Sequence, residues 1–414
     1  MYSLSPTVVL APDSFKGSLA AADVVAAMAK GVRLALGDAV RIVSAPLADG
    51  GEGTLDALLR NWQGHLEFVE TVDAIGRPKT ARFGLSADRA TAIIEAAEAN
   101  GLPAVMDAPL QPLRADSYGV GIIARRALDL GVAQILLCVG GSASTDGGTG
   151  LLRGLGARFL DAAENEVDSG GGGLSSIRQI DLSGLHSRAR EVSWRIAVDV
   201  DNPLNGDRGT AAVFGPQKGA SRADIAVLDR GLAAFAQMLD KVTEGHVAEM
   251  NSPGFGAAGG LPLAAKALLK AELVPGSQLV ADAVHLNSRL ADADIVLTGE
   301  GAFDRQSLNG KVVGMVLKAA PKGVPIVVIA GRVALSAQEV RAAGITAAFS
   351  LAPGPATLES LVEAAAERVS EVTAHVVSAM TGLSSYGASG RAVATVTGPT
   401  LPVAGPPAAA GGQR

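Results

Sequence analysis

The sequence predicts an α/β protein: a parallel-sheet domain, Rossmann- or flavodoxin-like, with a second α/β domain inserted into it. Three observations carry this expectation. Before Trp62, an apolar run, a glycine-rich turn and a helical stretch follow one another twice. The same rhythm returns near Ala291. Between the two, short strand-like pieces succeed one another in a different pattern. The composition agrees: 48% of residues are hydrophobic and only 3% aromatic. A chain rich in Ala, Val, Leu and Gly suits helices packed on parallel strands.

The elements follow in order. Thr7 to Ala11 is an apolar strand, and Pro12-Asp13-Ser14-Phe15-Lys16-Gly17-Ser18 is the turn after it. A helix starts at about Leu19, where Val24, Met28 and Val32 recur every four positions and mark a buried face. Arg41 to Pro46 is a second strand, leading through Ala48-Asp49-Gly50-Gly51-Glu52-Gly53-Thr54 into a second helix. Strand-turn-helix units of this kind make parallel sheets, which bind ligands beyond the carboxyl ends of their strands.

Glu67 to Val72, Thr80 to Leu85 and Ala92 to Glu95 read as antiparallel strands opening another domain. Ile135 to Val139 is a strand before Gly140-Gly141-Ser142-Ala143-Ser144-Thr145-Asp146-Gly147-Gly148. Ser169 to Gly173 reads as a flexible turn, and Trp194 to Val200 as a strand running into Asp201-Asn202-Pro203-Leu204. Asp294 to Thr298, Pro325 to Ala330 and Thr346 to Leu351 are the last three strands, with a helix from Lys311 to Ala320. The expected division is 1–72 with 291–382 for the parallel-sheet domain, 73–290 for the insert, and 383–414 for a disordered Ser-, Gly-, Ala- and Pro-rich tail. A cleft between the domains would hold the ligands.

The formal net charge is −6 and no basic tract is present, which argues against a nucleic-acid partner. No apolar stretch is long enough to span a membrane. No signal-peptide pattern stands at the N-terminus, and Cys138 is the one cysteine, so a reducing cytoplasm is expected. The five histidines (His65, His186, His246, His285 and His375) lack metal-ligand spacing. The chain lacks a Gly-x-x-x-x-Gly-Lys-Ser/Thr loop, a Gly-x-Gly-x-x-Gly after the first strand, and a nucleophile elbow paired with a histidine.

The chemistry-bearing residues stand where strands hand over to loops. Asp13 and Lys16 follow the first strand, Asp49 and Glu52 the second, and Asp146 lies in the Gly140–Gly148 loop. Asp199 ends another strand, and Glu300 and Asp304 follow the strand near the C-terminal end. Glycines let the Gly140–Gly148 backbone approach an anion, with Ser142, Ser144 and Thr145 adding hydroxyls. Carboxylates gathered at one edge repel one another unless a cation lies among them, and magnesium prefers such oxygen ligands. Lys311 at a helix start opposes the helix dipole, which makes sense beside a bound anion. Lys16 is placed similarly, and Lys218 is a further phosphate-contact candidate.

Together these segments resemble the glycerate kinase family. The resemblance rests on Ala11 to Ser18, Ala48 to Thr54, Gly140 to Gly148, Asn202-Pro203-Leu204 with Phe214 to Ala220, Gly256-Ala257-Ala258-Gly259-Gly260, and Thr298-Gly299-Glu300-Gly301 with Asp304, Gln306, Gly310 and Lys311. It implies two α/β domains, one inserted in the other, and transfer of the γ-phosphoryl group of ATP to a hydroxyl of D-glycerate. The product would be 2-phosphoglycerate or 3-phosphoglycerate. The expected roles follow: Mg²⁺ on Asp49, Glu300 and Asp304, and charge stabilisation by Lys16 and Lys311. Asp199 or Asp13 would accept the hydroxyl proton. The loop Gly140, Gly141, Ser142, Ser144, Thr145 and Asp146, with Ser14 and Lys218, would hold a phosphate or the glycerate carboxylate. The small-molecule partners would be ATP and glycerate, and an oligomer is compatible with the sequence. A kinase of another small hydroxy acid and a non-catalytic anion or nucleotide sensor are the competing readings.

Overall fold

The computed structural model describes residues 6–243, 252–308, 311–352 and 354–388. His246 and Gly310 lie outside the described residues. The strands, in chain order, are β1 (Thr7–Leu10), β2 (Arg41–Ser44), β3 (His65–Val72), β4 (Pro78–Leu85), β5 (Thr91–Glu95), β6 (Gln134–Cys138), β7 (Arg158–Leu160), β8 (Gln179–Asp181), β9 (Ser193–Ala197), β10 (Glu272–Val274), β11 (Ile295–Phe303), β12 (Ile326–Val333) and β13 (Ala347–Ser350).

One sheet runs β2-β1-β11-β12-β13, with every neighbouring pair parallel. Counted within that sheet, the order is 2-1-3-4-5, the flavodoxin-like order, whose direction reverses between its first and third strands. Those strands are β1 and β11, so the crevice for a ligand opens at their carboxyl ends. The second sheet runs β10-β9-β6-β5-β4-β3. Its β10, β9, β6 and β5 are mutually parallel, and its β4 and β3 are antiparallel. β7 and β8 form a separate hairpin-like pair.

β1 is buried throughout because both faces of its sheet are covered. On one face lie the helices Ala21–Leu36 and Ala365–Ala388, with Val24, Met28 and Val32 fully buried against Val8 and Leu10. On the other lie Thr54–Trp62, Gly276–Ala283 and Val312–Ala319. Thr54–Trp62 and Gly276–Ala283 also touch the second sheet. One apolar cluster joins Val9, Leu58 and Val280 to Ile93, Leu136 and Cys138. Each buried aliphatic side chain of this kind contributes about 1.5–3 kcal/mol. The two sheets are therefore held by a shared layer of helices. Cys138 is a buried core residue in that layer, and burial pushes its thiol up.

Four expectations change. Residues 65–72, counted with the parallel-sheet domain, form β3 at the edge of the second sheet, because the turn after Val72 folds β4 back on them. Helices Gly276–Ala283 and Leu286–Leu290, counted with the insert, pack on the first sheet. Ser169 to Gly173 is not simply a turn. It leads into a 3₁₀ segment, Gly171–Ser176, which packs against the helix Arg222–Val242 with Leu174 buried. The helix over the first sheet runs on to Ala388, past the expected start of a disordered tail at residue 383, and residues 389–414 lie outside the described residues.

Candidate active site

The site grows from the switch point between β1 and β11. Beyond β1 the chain stays beside β11: Ala11 N–H donates to Leu297 O and Asp13 N–H to Gly299 O, each at 2.8 Å. Asp13 is thereby fixed at the sheet edge and is only 3% exposed. Its Oδ1 accepts from Ser14 N–H at 2.6 Å and from Ser14 Oγ at 3.3 Å. Phe15 is buried, and its backbone N–H and C=O both bond Leu19, which closes a tight turn with Lys16 at its outer side.

Lys16 Nζ reaches Asp49, beyond the end of β2, at 2.8 Å from Oδ2. Asp49 Oδ1 accepts from Gly51 N–H at 3.2 Å. Burial opposes the charge on both partners, but their mutual attraction wins. The Lys16 ammonium is held above its ordinary range and the Asp49 carboxyl below its own, with Lys311 adding to the latter. Asp13 moves the other way: burial first, then the charge of Asp49 and Glu300, push its carboxyl well up.

β11 is longer than expected and carries Glu300 inside the strand rather than after it. Glu300 is 7% exposed, and burial raises its carboxyl, against the Ser307 hydroxyl and Lys311, which lower it. Its Oε1 is buried with no hydrogen-bond partner. Lys311 is the N-cap of the helix Val312–Ala319, and its charge reaches both Asp49 and Glu300. Asp304 is turned to a local task, its Oδ1 accepting from Gln306 N–H at 2.8 Å. Among the described residues no three His, Cys, Asp or Glu side chains form a ready metal cluster.

The second sheet brings its loops to the same place. Gly140 lies against Gly51 so closely that a Cβ on Gly140 would stand 2.9 Å from Gly51 Cα. Gly50 lies likewise against Gly276, where a Cβ on Gly50 would come within 2.7 Å of Gly276 Cα. Only glycines allow two backbones this proximity.

Behind Gly140 and the exposed Gly141, the loop is a scaffold. Asp146 is 0% exposed and accepts from Ser117 N–H, Ser117 Oγ, Gly148 N–H and Gly150 N–H at 2.7–3.2 Å. Ser144 exchanges hydrogen bonds with the side chain of Asn100. Lys218, 3% exposed, donates to Ser142 Oγ at 3.1 Å and to the Ser144 carbonyl, and burial lowers its ammonium to about 8. Thr145 is buried as well. The structure thus places Ser142, Ser144, Asp146 and Lys218 inside the loop, with Gly140 and Gly141 at its tip.

Asp199, past the end of β9, binds the start of the helix Gly276–Ala283. Its two oxygens accept from Gly276 N–H at 2.8 Å and Ser277 N–H at 2.7 Å. Burial raises its carboxyl to about 6 against those bonds. Glu95, at the end of β5, makes the matching contact and was missed in the sequence. Its Oε1 accepts from Leu55 N–H at 2.7 Å at the start of the helix Thr54–Trp62. Burial raises Glu95 to about 7. The signal was available, since Glu95 ends a strand as Asp199 does. The partner helix start, Pro275-Gly276-Ser277, had no motif to announce it.

A cavity of about 720 Å³ adjoins this cluster. Lys311 and Asp199 line it, with Met315 and Lys318 of the helix Val312–Ala319 along one side. Val198, Val200 and Leu273, beyond and within the second sheet's strands, form another side. The structure therefore brings Asp13, Lys16, Asp49, Glu300, Lys311 and Asp199 within electrostatic reach of one another, with the Gly140 tip against Gly51 beside Lys16.

The chain is 42% identical to a glycerate kinase of Halalkalibacterium halodurans over 376 residues, 89% of this chain and 98% of that protein. It is 40% identical to the glycerate 2-kinase of Escherichia coli over 374 residues, 90% and 97% of the two chains. The crystal structure described as glycerate kinase 2 from Salmonella typhimurium LT2 superposes with a TM-score of 0.75 at 40% identity, covering 92% of this chain and 100% of that one. The model of the glycerate kinase family matches residues 8–381, from the first strand of the crevice to the helix that closes the sheet, and the chain belongs to that family.

Proposed function

We propose that the protein is an ATP-dependent kinase that phosphorylates the 2-hydroxyl of D-glycerate in the crevice between its two sheets. The observation that carries this is the meeting of two lysines with a buried, unpartnered carboxylate oxygen at a flavodoxin-type switch point. Phosphoryl transfer asks for positioning and charge neutralisation more than for covalent help. The glycerate 2-kinase of Escherichia coli supports the position of the phosphate on the product. We take the two sheets as two domains, the second inserted between β2 and β11.

The donor set fits magnesium. Glu300 Oε1 is an oxygen without a partner, and Asp49 is a second oxygen donor in the same cluster. Magnesium takes one or two carboxylates and completes its shell with phosphate and water, so a ready three-carboxylate cluster is not required. Glu300 and Asp49 would hold the ion, with Asp304, one of whose oxygens accepts from Gln306 N–H, a further candidate. When bound, it supplies positive charge to the nucleotide's terminal phosphates.

The chain's own groups do the rest. Lys16 and Lys311 stabilise charge on the transferring group. Asp13 takes the hydroxyl proton. Its Oδ1 is fixed by Ser14, its Oδ2 has no hydrogen-bond partner among the described residues, and burial and the neighbouring carboxylates raise its affinity for a proton. Asp199 spends both oxygens on a helix start, which makes it the weaker candidate. As the glycerate oxygen bonds to the γ-phosphorus, the bridging β–γ bond breaks, ADP leaves and the proton stays on Asp13. The buried free Cys138 supports a reducing, cytoplasmic setting. Among the described residues no helix is long and apolar enough to cross a membrane.

The test is an ATP-consumption assay with D-glycerate, lactate and tartronate, the product assigned by NMR. Phosphate on the C2 oxygen of D-glycerate is expected. ATP consumption with none of the three acids would overturn the reading.

A further inference from the structure

We infer that the nucleoside end of the nucleotide occupies the cavity between the helix Val312–Ala319 and the strand ends of the second sheet, which leaves the Gly140 tip to the acceptor's carboxylate. This rests on the kinase reading and adds which substrate lies on which side of Lys16.

The cavity combines charged groups, Lys311, Lys318, Asp199 and Asp201, with an apolar wall. Lys311, Met315 and Lys318 stand four and three residues apart, so they lie in one stripe along the helix. From Lys311 to Lys318 the stripe runs about 10 Å at 1.5 Å per residue. Lys311 ends it at the acids, for its charge reaches Asp49 and Glu300. Facing the stripe are Val198, Val200 and Leu273, apolar side chains left half-buried around open space. Phe214 adds an aromatic face. Such walls suit a flat heteroaromatic ring, and about 720 Å³ is the scale of a nucleotide pocket. A three-carbon hydroxy acid would leave most of that volume, and all of the apolar wall, uncovered.

The opposite flank of Lys16 has the complementary character. Gly51 separates Lys16 from Gly140: a Cβ on Gly51 would stand 3.9 Å from Lys16 Nζ and 3.4 Å from Gly140 Cα. The tip there is narrow backbone, and the Lys218 ammonium lies behind it on Ser142 and Ser144. A small carboxylate fits backbone amides backed by a cation. With the nucleoside along the Lys311–Lys318 stripe and the acid at Gly140, the γ-phosphate and the acceptor hydroxyl meet over Lys16 and Asp13.

Two measurements test this, one on the native chain. Acylation footprinting of Lys318 with a soluble amine reagent should show protection by ADP and none by glycerate. In the variant Leu273→Trp, which fills the cavity, KM for ATP should rise tenfold or more while KM for glycerate stays within twofold. ADP affinity measured by calorimetry without any acid should fall in parallel. Protection of Lys318 by glycerate, or by neither ligand, would overturn the assignment, as would a Leu273→Trp variant that binds ADP normally. Because ADP binding is read without turnover, a protein that binds ADP there yet phosphorylates no hydroxy acid would sink the kinase reading and leave the cavity assignment standing.

Discussion

Replacing Glu300 by glutamine should move stability and activity in opposite directions. Glu300 is 7% exposed, its Oε1 has no partner, and burial raises its carboxyl above the ordinary value. A folded-state pKa above the unfolded one means that the native protein binds more protons, so the group costs stability as pH rises above its unfolded value of 4.5. An unsatisfied buried polar atom costs about 1–3 kcal/mol, more when charged. Glu300→Gln removes that charge with little change of shape, so the ligand-free protein at pH 7.5 should melt at the same temperature or higher. Activity should go the other way. Glu300 would act by holding the magnesium that neutralises the phosphates, and its loss should cost on the order of what removal of one oriented stabilising group costs, about 10²–10³-fold in kcat. The assay pairs a thermal melt of ligand-free protein with initial rates at saturating ATP and D-glycerate. A variant that melts lower and turns over normally would show Glu300 to be an ordinary structural carboxylate.

Three further outcomes follow from the same geometry. Gly140→Ala places a Cβ 2.9 Å from Gly51 Cα, a backbone atom that cannot swing aside, and overpacking of this sort costs about 1–3 kcal/mol. Its kcat/KM should fall at least tenfold in steady-state assays, whereas normal kinetics would mean that the two loops part freely. Glu95→Gln keeps an oxygen for Leu55 N–H but removes a buried charge lying near Glu98, Arg82 and Asp56. A carboxyl moved from 4.5 to about 7 corresponds to roughly 3 kcal/mol of lost stability above pH 7. The variant should therefore gain stability at pH 8 and match the parent near pH 4, in denaturant titrations at both pH values. Asp146→Asn swaps an acceptor-only group for one carrying an N–H₂ among five donors, and should destabilise the protein by at least about 3 kcal/mol, read as a lowered unfolding midpoint.

Much of the architecture was legible because parallel α/β units write themselves into local sequence. The strand and helix around Val8 and Met28 alternate between a continuous apolar run and a four-residue repeat, and both survive in the structure. The meeting of Asp13, Lys16, Asp49 and Glu300 followed from one rule, that a parallel sheet collects strand ends at one edge. Edges and contacts between distant segments were less legible. That β3 belongs to the second sheet depends on its pairing with β4, which periodicity alone does not reveal. Asp146, Ser142 and Lys218 carry the residue types of a ligand site, but their burial, a property of tertiary packing, turns them into supports for the loop. Glu95 and Asp199 do similar work at two helix starts, and the pairing of a strand end with a helix far along the chain leaves no local signature.

In the proposed reaction, lysines gathered from separate segments neutralise the terminal phosphate of a nucleotide. Rapid-quench measurement of a single turnover of γ-labelled ATP in the Lys311→Ala variant tests it most directly. The lysine caps a helix start, where a cation is unfavourable, so its removal should leave the fold intact. Phosphoryl transfer in the folded variant should slow by about 10²-fold or more at saturating substrates. Transfer at the parent's rate would mean that Lys311 takes no part in neutralising the phosphate.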